Sequence, residues 1–464
     1  MAKSTTTAPS TTARARVRTK SKRLLSAVAM GAVSAVTASV AAAGGAAFAA
    51  PDYPSWNDVE KAKQNESTKQ AEIATLGELL NGLASQAAKA VTTAQIAAEA
   101  YRVTQDALDA ATLRETSLRE LAATAEATAA TSKMRAGLIA AHLAKSGASG
   151  LSLNLFLNGN SADDLLSQLG TASKLSEQSE QIYTEAVQDK NAAESLGEQA
   201  ASATEERERL TEESKTTFDA ATASSTAAEA AYNTQQRKSS ELFEQLALLK
   251  DTTAEAERSF HAGEDAAAAA SAFAQAQASA AAIADAAAAQ AVRDTAAAAG
   301  SGSGSGSGSG AGSGSGSGSG SVAPSVPATP SPPVALPNAS IVDTALAFAN
   351  AQLGDRYVFG GSGPDAWDCS GLTKAAYAAA GVYIGTHSAT NQYNTMASQG
   401  KLVSFAQVQV GDLVFWGSPG NYYHVAIYAG NGQVLEAPNP SSRVRVHSIW
   451  SSWAVAPYVG RPAA

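Results

Sequence analysis

The chain has 464 residues, a single cysteine and a formal net charge of −9. Seven cations and no acid lie within the first 50 residues, so residues 51–464 carry −16, all of it on residues 51–337. An acidic chain of this kind argues against binding to nucleic acid and against direct docking on anionic lipid. The sequence also has no phosphate loop and no ligand spacing among its five histidines, so it predicts no nucleotide, metal or other cofactor.

Residues 1–49 have the composition of an export signal. A basic segment precedes an alanine-rich apolar run from Leu24 to about Ala43, and Ala47-Phe48-Ala49 then supplies a small-x-small cleavage pattern. Because no two arginines are adjacent, the general secretory route is favoured over the twin-arginine route. We predict a cleaved signal peptide; an uncleaved signal-anchor is the alternative, since the run is almost long enough to span a bilayer.

Residues 50–299 have the composition of long helices. They are rich in Ala, Glu, Gln, Lys, Ser and Thr, and no proline follows Pro54. Between Ile73 and Leu108, apolar residues recur at spacings of three and four, as a coiled-coil seam requires. The sequence therefore predicts an all-α coiled-coil region.

The helical pattern breaks at an elbow near residues 146–161. Glycines there precede the apolar run Leu151–Leu157, and Ser161 with Asp164 resembles an N-cap and its partner. We predict a helical hairpin whose elbow either packs on its own helices or docks on a partner. The expected partner is a membrane-embedded division or elongation complex.

Residues 300–337 separate this hairpin from the rest of the chain. They consist of Ser-Gly repeats followed by a proline-rich stretch, which is typical of a disordered linker with a stiffer end. If fully flexible, the linker would average roughly 30–35 Å end to end. It would let the last domain sample a wide volume around the hairpin.

Residues 338–464 are predicted to form the globular domain. They hold four of the five tryptophans, and their length suits one compact domain. Helical patterns cover 341–352 and 369–380. Strand-like runs follow at 412–416, 424–428, 433–437, 444–447 and 453–459. Helices followed by an antiparallel meander predict an α+β domain.

Cys369 is a candidate nucleophile. It follows the glycine-rich segment 357–367 and begins a predicted helix, where unpaired backbone N–H groups and the helix dipole favour the thiolate. A thiolate nucleophile needs a base and the base needs an orienting group. His424 opens a strand, and Glu436 lies twelve residues later, across the turn Gly430-Asn431-Gly432.

The pairing register decides whether those two side chains meet. A three-residue loop would set Ala429 opposite Gln433 and Ala426 opposite Glu436, which places Glu436 diagonal to His424 on one face of the sheet. A shift of one residue would send Glu436 to the other face. We predict the first register, with the apolar flanks of Glu436 partly burying the pair.

Four motifs resemble a known family. Tyr357-Val-Phe-Gly-Gly, Asp368-Cys-Ser-Gly-Leu, Gly411-Asp-Leu-Val-Phe and His424-Val-Ala-Ile-Tyr-Ala-Gly are similar to the NlpC-type (NlpC/P-sixty) papain-like cysteine peptidases of bacterial cell walls. The resemblance covers residues from about 341 to 460. It implies a papain-like α+β fold and a secreted, extracellular, cell-wall-associated hydrolase.

The resemblance also implies a role for each matching residue. Cys369 would attack the amide, His424 would act as base and then acid, and Glu436 would orient the histidine. Tyr357, Asp368 and Ser370 match positions that line the site and hold substrate peptide. The implied substrate is a peptidoglycan stem peptide, cut at its γ-D-glutamyl–diamino acid bond.

Two positions depart from or lie outside this pattern. His387 stands where relatives often carry a cation, which leaves substrate detail open. His447, on a later strand, is expected at the surface or in packing, and it is the next candidate if Glu436 does not fill the third role. Two alternatives remain: the protein is a catalytically silent, wall-binding scaffold, or it is an N-acetylmuramoyl-alanine amidase. Acyl transfer is disfavoured because the cysteine precedes the histidine.

Overall fold

The computed structural model describes residues 53–147, 162–300 and 334–464. The predicted signal peptide at 1–49, the elbow from 148 to 161 with its apolar run, and most of the linker (301–333) lie outside the described residues. Within the described ranges, no helix combines the length and the apolar character needed to cross a membrane.

Long helices dominate the first two described ranges. They are α1 (Trp56–Lys63), α2 (Glu66–Gly147), α3 (Ala162–Lys250) and α4 (Ala254–Gly300). Helices α2 and α3 pack along each other in antiparallel order, since the α2 leucines 76, 80 and 83 meet the α3 leucines 242, 246 and 249. Farther along, Arg207 of α3 forms an ion pair with Glu115 of α2. The predicted helical hairpin is confirmed for these two helices.

The prediction of only two helices was wrong. The chain breaks at Asp251, whose left-handed backbone (φ 57°) ends α3. The Asp251 carboxylate then binds Lys63 at 2.6 Å and Lys69 at 3.6 Å, so it joins three helices. Because aspartate and threonine are compatible with a helix surface, composition did not indicate this break.

The C-terminal domain has the predicted α+β layout. Its helices are α5 (Ala339–Asn350), α6 (Cys369–Ala379) and α7 (Ala389–Ser398). A short parallel pair, β1 (Arg356–Tyr357) and β2 (Ala366–Trp367), precedes α6. The remaining strands form one antiparallel sheet in the order β3-β8-β4-β5-β6-β7. They are β3 (Leu402–Ser404), β4 (Leu413–Ser418), β5 (Asn421–Gly430), β6 (Gln433–Glu436), β7 (Arg445–Ser448) and β8 (Tyr458–Gly460).

The sequence missed some of these elements. Helix α7 and strand β3 were not predicted. The predicted strand at 453–459 is instead a 3-10 turn at Ser452–Ala454 followed by the short β8. In that segment Ala456 donates its backbone N–H to the carbonyl oxygen of Phe415 in β4. The segment therefore packs against β4 before the chain enters the sheet as β8.

The sheet separates two apolar layers. On β4, Leu413 and Phe415 pack into a core with α5 and α6, whereas Val414 and Trp416 face the other layer. All twenty buried members of the first core lie between residues 345 and 456, so the domain holds a core of its own. The second layer includes Phe273 of α4, whose ring centroid lies 5.6 Å from that of Phe405.

A buried ion pair fixes the start of β4. Asp412 is fully buried and accepts two hydrogen bonds from Arg461, at 3.0 and 2.9 Å. Burial raises the pKa of Asp412, and the hydrogen bonds and charge of Arg461 only partly oppose that rise. The pair thus connects the C-terminal end of the chain to the central strands.

We expect Arg461→Ala to destabilise the domain by about 3–5 kcal/mol, because it leaves the Asp412 carboxylate buried without its cation. Urea unfolding of residues 338–464 measures the change. Lys374→Ala, at an exposed position of α6, is the matched control and should alter the free energy of unfolding by less than about 0.5 kcal/mol. Equal unfolding midpoints for the two variants would contradict the assignment.

Candidate active site

Cys369 is the first residue of α6. Asp368 caps the helix by accepting the backbone N–H of Gly371 at 2.8 Å. A side chain at position 371 would collide with the Gly361 carbonyl, since a Cβ there would lie only 2.2 Å from that oxygen. Glycine at this position therefore lets the segment before the cysteine pass close to the helix start.

The Cys369 thiol is held in its neutral form in this structure. The residue is only 8% exposed, and burial raises its pKa, with further contributions from the negative charges of Asp368 and Glu99. Backbone N–H groups of Val425 and Ser370 favour the thiolate but do not outweigh them. The backbone at the helix start thus favours the thiolate, as the sequence predicts, but burial and the charges of Asp368 and Glu99 oppose it more strongly here.

His424 and Glu436 form the predicted pair. Nε2 of His424 lies 3.0 Å from Oε2 of Glu436, and both side chains are fully buried. The strand register agrees with the prediction, because Ile427 faces Leu435 and Tyr428 faces Val434. The turn differs from the predicted one: Gly430 faces Gln433 across two residues, and a bulge at residue 429 restores the register.

The surroundings of Glu436 keep it ionised. Arg445 donates to Oε1 at 3.2 and 3.3 Å, and Trp450 Nε1 donates to Oε2 at 3.1 Å. Burial alone would raise the pKa of Glu436, but the hydrogen bond and charge of His424, with Arg445 and Trp450, lower it overall. An ionised carboxylate only accepts hydrogen bonds, so the proton of neutral His424 is on Nε2 and the lone pair is on Nδ1.

The three predicted substrate-binding residues lie around the cysteine. Tyr357 is buried; burial raises its pKa, and the nearby negative charge of Asp368 adds to that rise. Asp368 accepts the Gly360 N–H at 3.1 Å, and the Ser370 hydroxyl lies 3.5 Å from the Asp368 carboxylate. The structure therefore brings Tyr357, Asp368 and Ser370 together beside the cysteine.

The two other histidines of this domain, His387 and His447, have different surroundings. Nε2 of His387 lies 2.6 Å from Asp368 Oδ1, so His387 takes part in the site through that carboxylate. Burial would raise the pKa of Asp368, but the hydrogen bond and charge of His387, with Arg102, lower it. His447 is exposed on β7, as the sequence predicts. No cluster of metal-binding side chains occurs in the described part of the chain.

The comparisons with known proteins match this region. The model of the NlpC/P60 family matches residues 354–460. Those residues are an NlpC/P60 domain.

The similar proteins share this domain. Protein P54 of Enterococcus faecium is 41% identical over 105 residues, which cover 22% of this chain and 19% of that protein. Peptidoglycan endopeptidase RipB of Mycobacterium tuberculosis is 35% identical over 153 residues, covering 30% and 61%. The solved structure of RipB shows 34% identity over 27% of this chain and 65% of that one, with a TM-score of 0.24. The match thus spans less than two thirds of each relative.

Residues of α2 that the sequence analysis missed also contact the NlpC/P60 domain. Gln95 Nε2 lies 3.2 Å from Nδ1 of His424 and donates to the Pro438 carbonyl at 2.7 Å. Farther along the same helix, Glu99, Arg102 and Asp106 contact Ser388, Asp368 and Thr386 respectively. Their only sequence signal is polar residues on one helical face, which is more often a solvated surface.

We expect Glu436→Gln to leave the NlpC/P60 domain folded and to lower kcat/KM by roughly 10²- to 10⁴-fold. The amide keeps an oxygen for His424 Nε2–H but loses the charge that stabilises imidazolium. Turnover of purified peptidoglycan by residues 338–464 measures the change, with His447→Gln as the exposed control. Unchanged turnover in Glu436→Gln would show that another group orients His424.

Proposed function

We propose that this protein is a secreted cysteine peptidase that hydrolyses peptide bonds in the stem peptides of bacterial peptidoglycan, at the γ-D-glutamyl–diamino acid bond. The carrying observation is the buried His424–Glu436 hydrogen bond of 3.0 Å, together with the backbone N–H of Val425, the next residue on β5, which hydrogen-bonds the Cys369 sulfur. The similarity to proteins named peptidoglycan endopeptidases supports the substrate class.

The hydrogen bonds of His424 define the proton path. Glu436 occupies Nε2, so Nδ1 takes the proton of the Cys369 thiol. The thiolate sulfur attacks the amide carbon and forms a tetrahedral oxyanion, which backbone N–H groups at the start of α6 stabilise. Imidazolium Nδ1–H then protonates the leaving amine as the C–N bond breaks, and a thioester remains.

Hydrolysis of the thioester reverses these roles. Neutral His424 takes a proton from water through Nδ1, hydroxide adds to the thioester carbon, and the C–S bond breaks to give a carboxylic acid. The proton on Nδ1 returns to the sulfur, so Cys369 is regenerated as a thiol. Glu436 stays a carboxylate throughout, since its pKa lies below its usual value, and it stabilises the imidazolium form in both halves of the reaction.

We place the protein outside the cell, associated with the wall, in wall remodelling or daughter-cell separation. The leader composition of residues 1–49 supports export. A membrane-embedded division or elongation complex that binds the elbow of the coiled coil would localise the hydrolase to the sites of wall remodelling or daughter-cell separation. The apolar run Leu151–Leu157 in the sequence supports that proposal.

We expect residues 338–464 alone to digest purified peptidoglycan, and either Cys369→Ala or His424→Ala to remove detectable turnover. The first substitution deletes the nucleophile and the second deletes the only base hydrogen-bonded to Glu436 in the described residues. Mass spectrometry of the released muropeptides identifies the bond. His447→Ala, at an exposed position, should keep the parent rate.

The products separate this proposal from its alternatives. Cleavage after the γ-D-glutamyl residue supports it. Release of intact stem peptides from the sugar would instead show an N-acetylmuramoyl-alanine amidase. Full digestion by Cys369→Ala, or no digestion by any form of the domain, would overturn the cysteine peptidase assignment and favour a wall-binding scaffold.

A further inference from the structure

We propose that α2 is an internal pseudosubstrate: four of its polar side chains fill the catalytic groove and keep the enzyme latent until the domain separates from the helix. The inference rests on the proposed function, because the groove it closes is the one that would receive the stem peptide. The four residues are Gln95, Glu99, Arg102 and Asp106.

These residues form one stripe along α2. Their spacings of four, three and four place them on the same face of an α-helix, about 16 Å from first to last at 1.5 Å per residue. Each contacts a different part of the NlpC/P60 domain: the base, the N-terminus of α7, the α6 cap, and the loop before α7. The stripe therefore contacts four separate parts of the domain around the catalytic residues.

Gln95 blocks the catalytic base. Its side-chain amide nitrogen lies 3.2 Å from Nδ1 of His424, the nitrogen that carries the proton between the thiol, the leaving amine and water. An amide nitrogen against this atom has the arrangement of the leaving amine in the proposed reaction. A second hydrogen bond, to the Pro438 carbonyl at 2.7 Å, holds the amide there, and the residue is only 3% exposed.

The amide of Gln95 is an inhibitor and not a substrate because its carbonyl is not activated. Gln95 Oε1 is buried and makes no hydrogen bond with any residue in the described ranges. Attack at that carbon would create an oxyanion without donors, which lacks the main stabilisation of acyl transfer. Leaving this oxygen unpaired also costs about 1–3 kcal/mol, so a ligand that satisfies the groove better can displace the helix.

Glu99 occupies the adjacent part of the groove, where burial raises the pKa of its carboxyl to about 7 and the hydrogen bonds it accepts favour the charged form. It accepts the Ser388 hydroxyl at 2.6 Å and the backbone N–H groups of Ala389 and Thr390 at 3.0 and 2.8 Å. These donors are the N-terminus of α7, a favourable position for an anion. Glu99 also helps to raise the pKa of Cys369, so the docked helix keeps the nucleophile protonated as well as covered.

Arg102 neutralises a residue of the proposed substrate pocket. It forms an ion pair of 3.2 Å with Asp368, and its guanidinium lies 5.7 Å from the ring centroid of Phe359. Tyr101, beside it on α2, packs edge-on against the same ring at 5.5 Å, and Phe218 of α3 completes the contact at 5.9 Å. Both helices of the hairpin thus hold the glycine-rich segment that precedes the cysteine.

Release does not require unfolding of the helix. The contacts of the stripe are between side chains or to the domain backbone, so the backbone hydrogen bonds of α2 are unaffected. The linker at 300–337, rich in Ser, Gly and Pro, connects the domain to the hairpin. Separation of the domain also has to break its packing against α4, where Phe273 contacts Phe405, and it exposes Cys369, His424 and the α7 N-terminus together.

The single cysteine gives a direct test. In the mature chain, residues 50–464, the rate of Cys369 alkylation by iodoacetamide reports exposure and ionisation of the thiol without any wall substrate. We expect the double variant Gln95→Ala/Arg102→Ala to be alkylated at least about tenfold faster than the parent, approaching residues 338–464. Because Arg102 is a cation, its loss does not itself favour the thiolate, so faster alkylation reports exposure of the thiol. Glu78→Ala, at an exposed position of α2, is the control and should match the parent.

A milder variant guards against misfolding. Asp106→Ala removes only the 2.5 Å hydrogen bond to Thr386 at a partly exposed position, and we expect a smaller increase in alkylation with unchanged helix content by circular dichroism. Parent-like alkylation in both variants, or equal alkylation of the parent and residues 338–464, would overturn latency. Faster alkylation without peptidoglycan cleavage by residues 338–464 would support latency and overturn the proposed function instead.

Discussion

The catalytic arrangement depends on one buried hydrogen bond, between His424 and Glu436. Two neighbouring strands have to meet in a single register for it to form, and a shift of one residue would turn the glutamate to the opposite face. That register is set by the bulge at residue 429 and by the two-residue turn Asn431-Gly432, in which both residues have a positive φ. Trp450 and Arg445 then hold the carboxylate ionised, and this fixes which imidazole nitrogen is available for chemistry.

Much of the C-terminal domain could be predicted from local sequence. The Cys369 helix follows a glycine-rich segment, and the strand pair 421–430 and 433–436 follows alternating apolar residues around a short turn, so each signal lies within a few residues of its result. Helix α7 was missed because most of its residues are polar, although Ala389, Tyr393 and Met396 share its buried face. The hairpin of α2 and α3 was predicted from seam spacing, whereas the break at Asp251, which forms an ion pair with Lys63 188 positions away, had no signal in the local sequence.

The contact between α2 and the active site could not be predicted in the same way. Gln95 and His424 are 329 positions apart, with a linker between them, and no periodicity connects the two. A stripe of glutamine, glutamate, arginine and aspartate on a helix usually faces water. The complementarity becomes visible only in the structure. There the imidazole lone pair of His424, the backbone N–H groups at the start of α7 and the Asp368 carboxylate lie in the order that matches the stripe.

The contacts between α2 and the active site lie far from both ends of that helix. At 1.5 Å per residue, Gln95 lies about 44 Å from the helix start at Glu66 and about 78 Å from its end at Gly147. Side-chain hydrogen bonds weaken sharply once their atoms part by about 1 Å. Helices α2 and α3 pack along each other, so a sideways force at the far end of α2 would act on these contacts through a lever arm of about 78 Å.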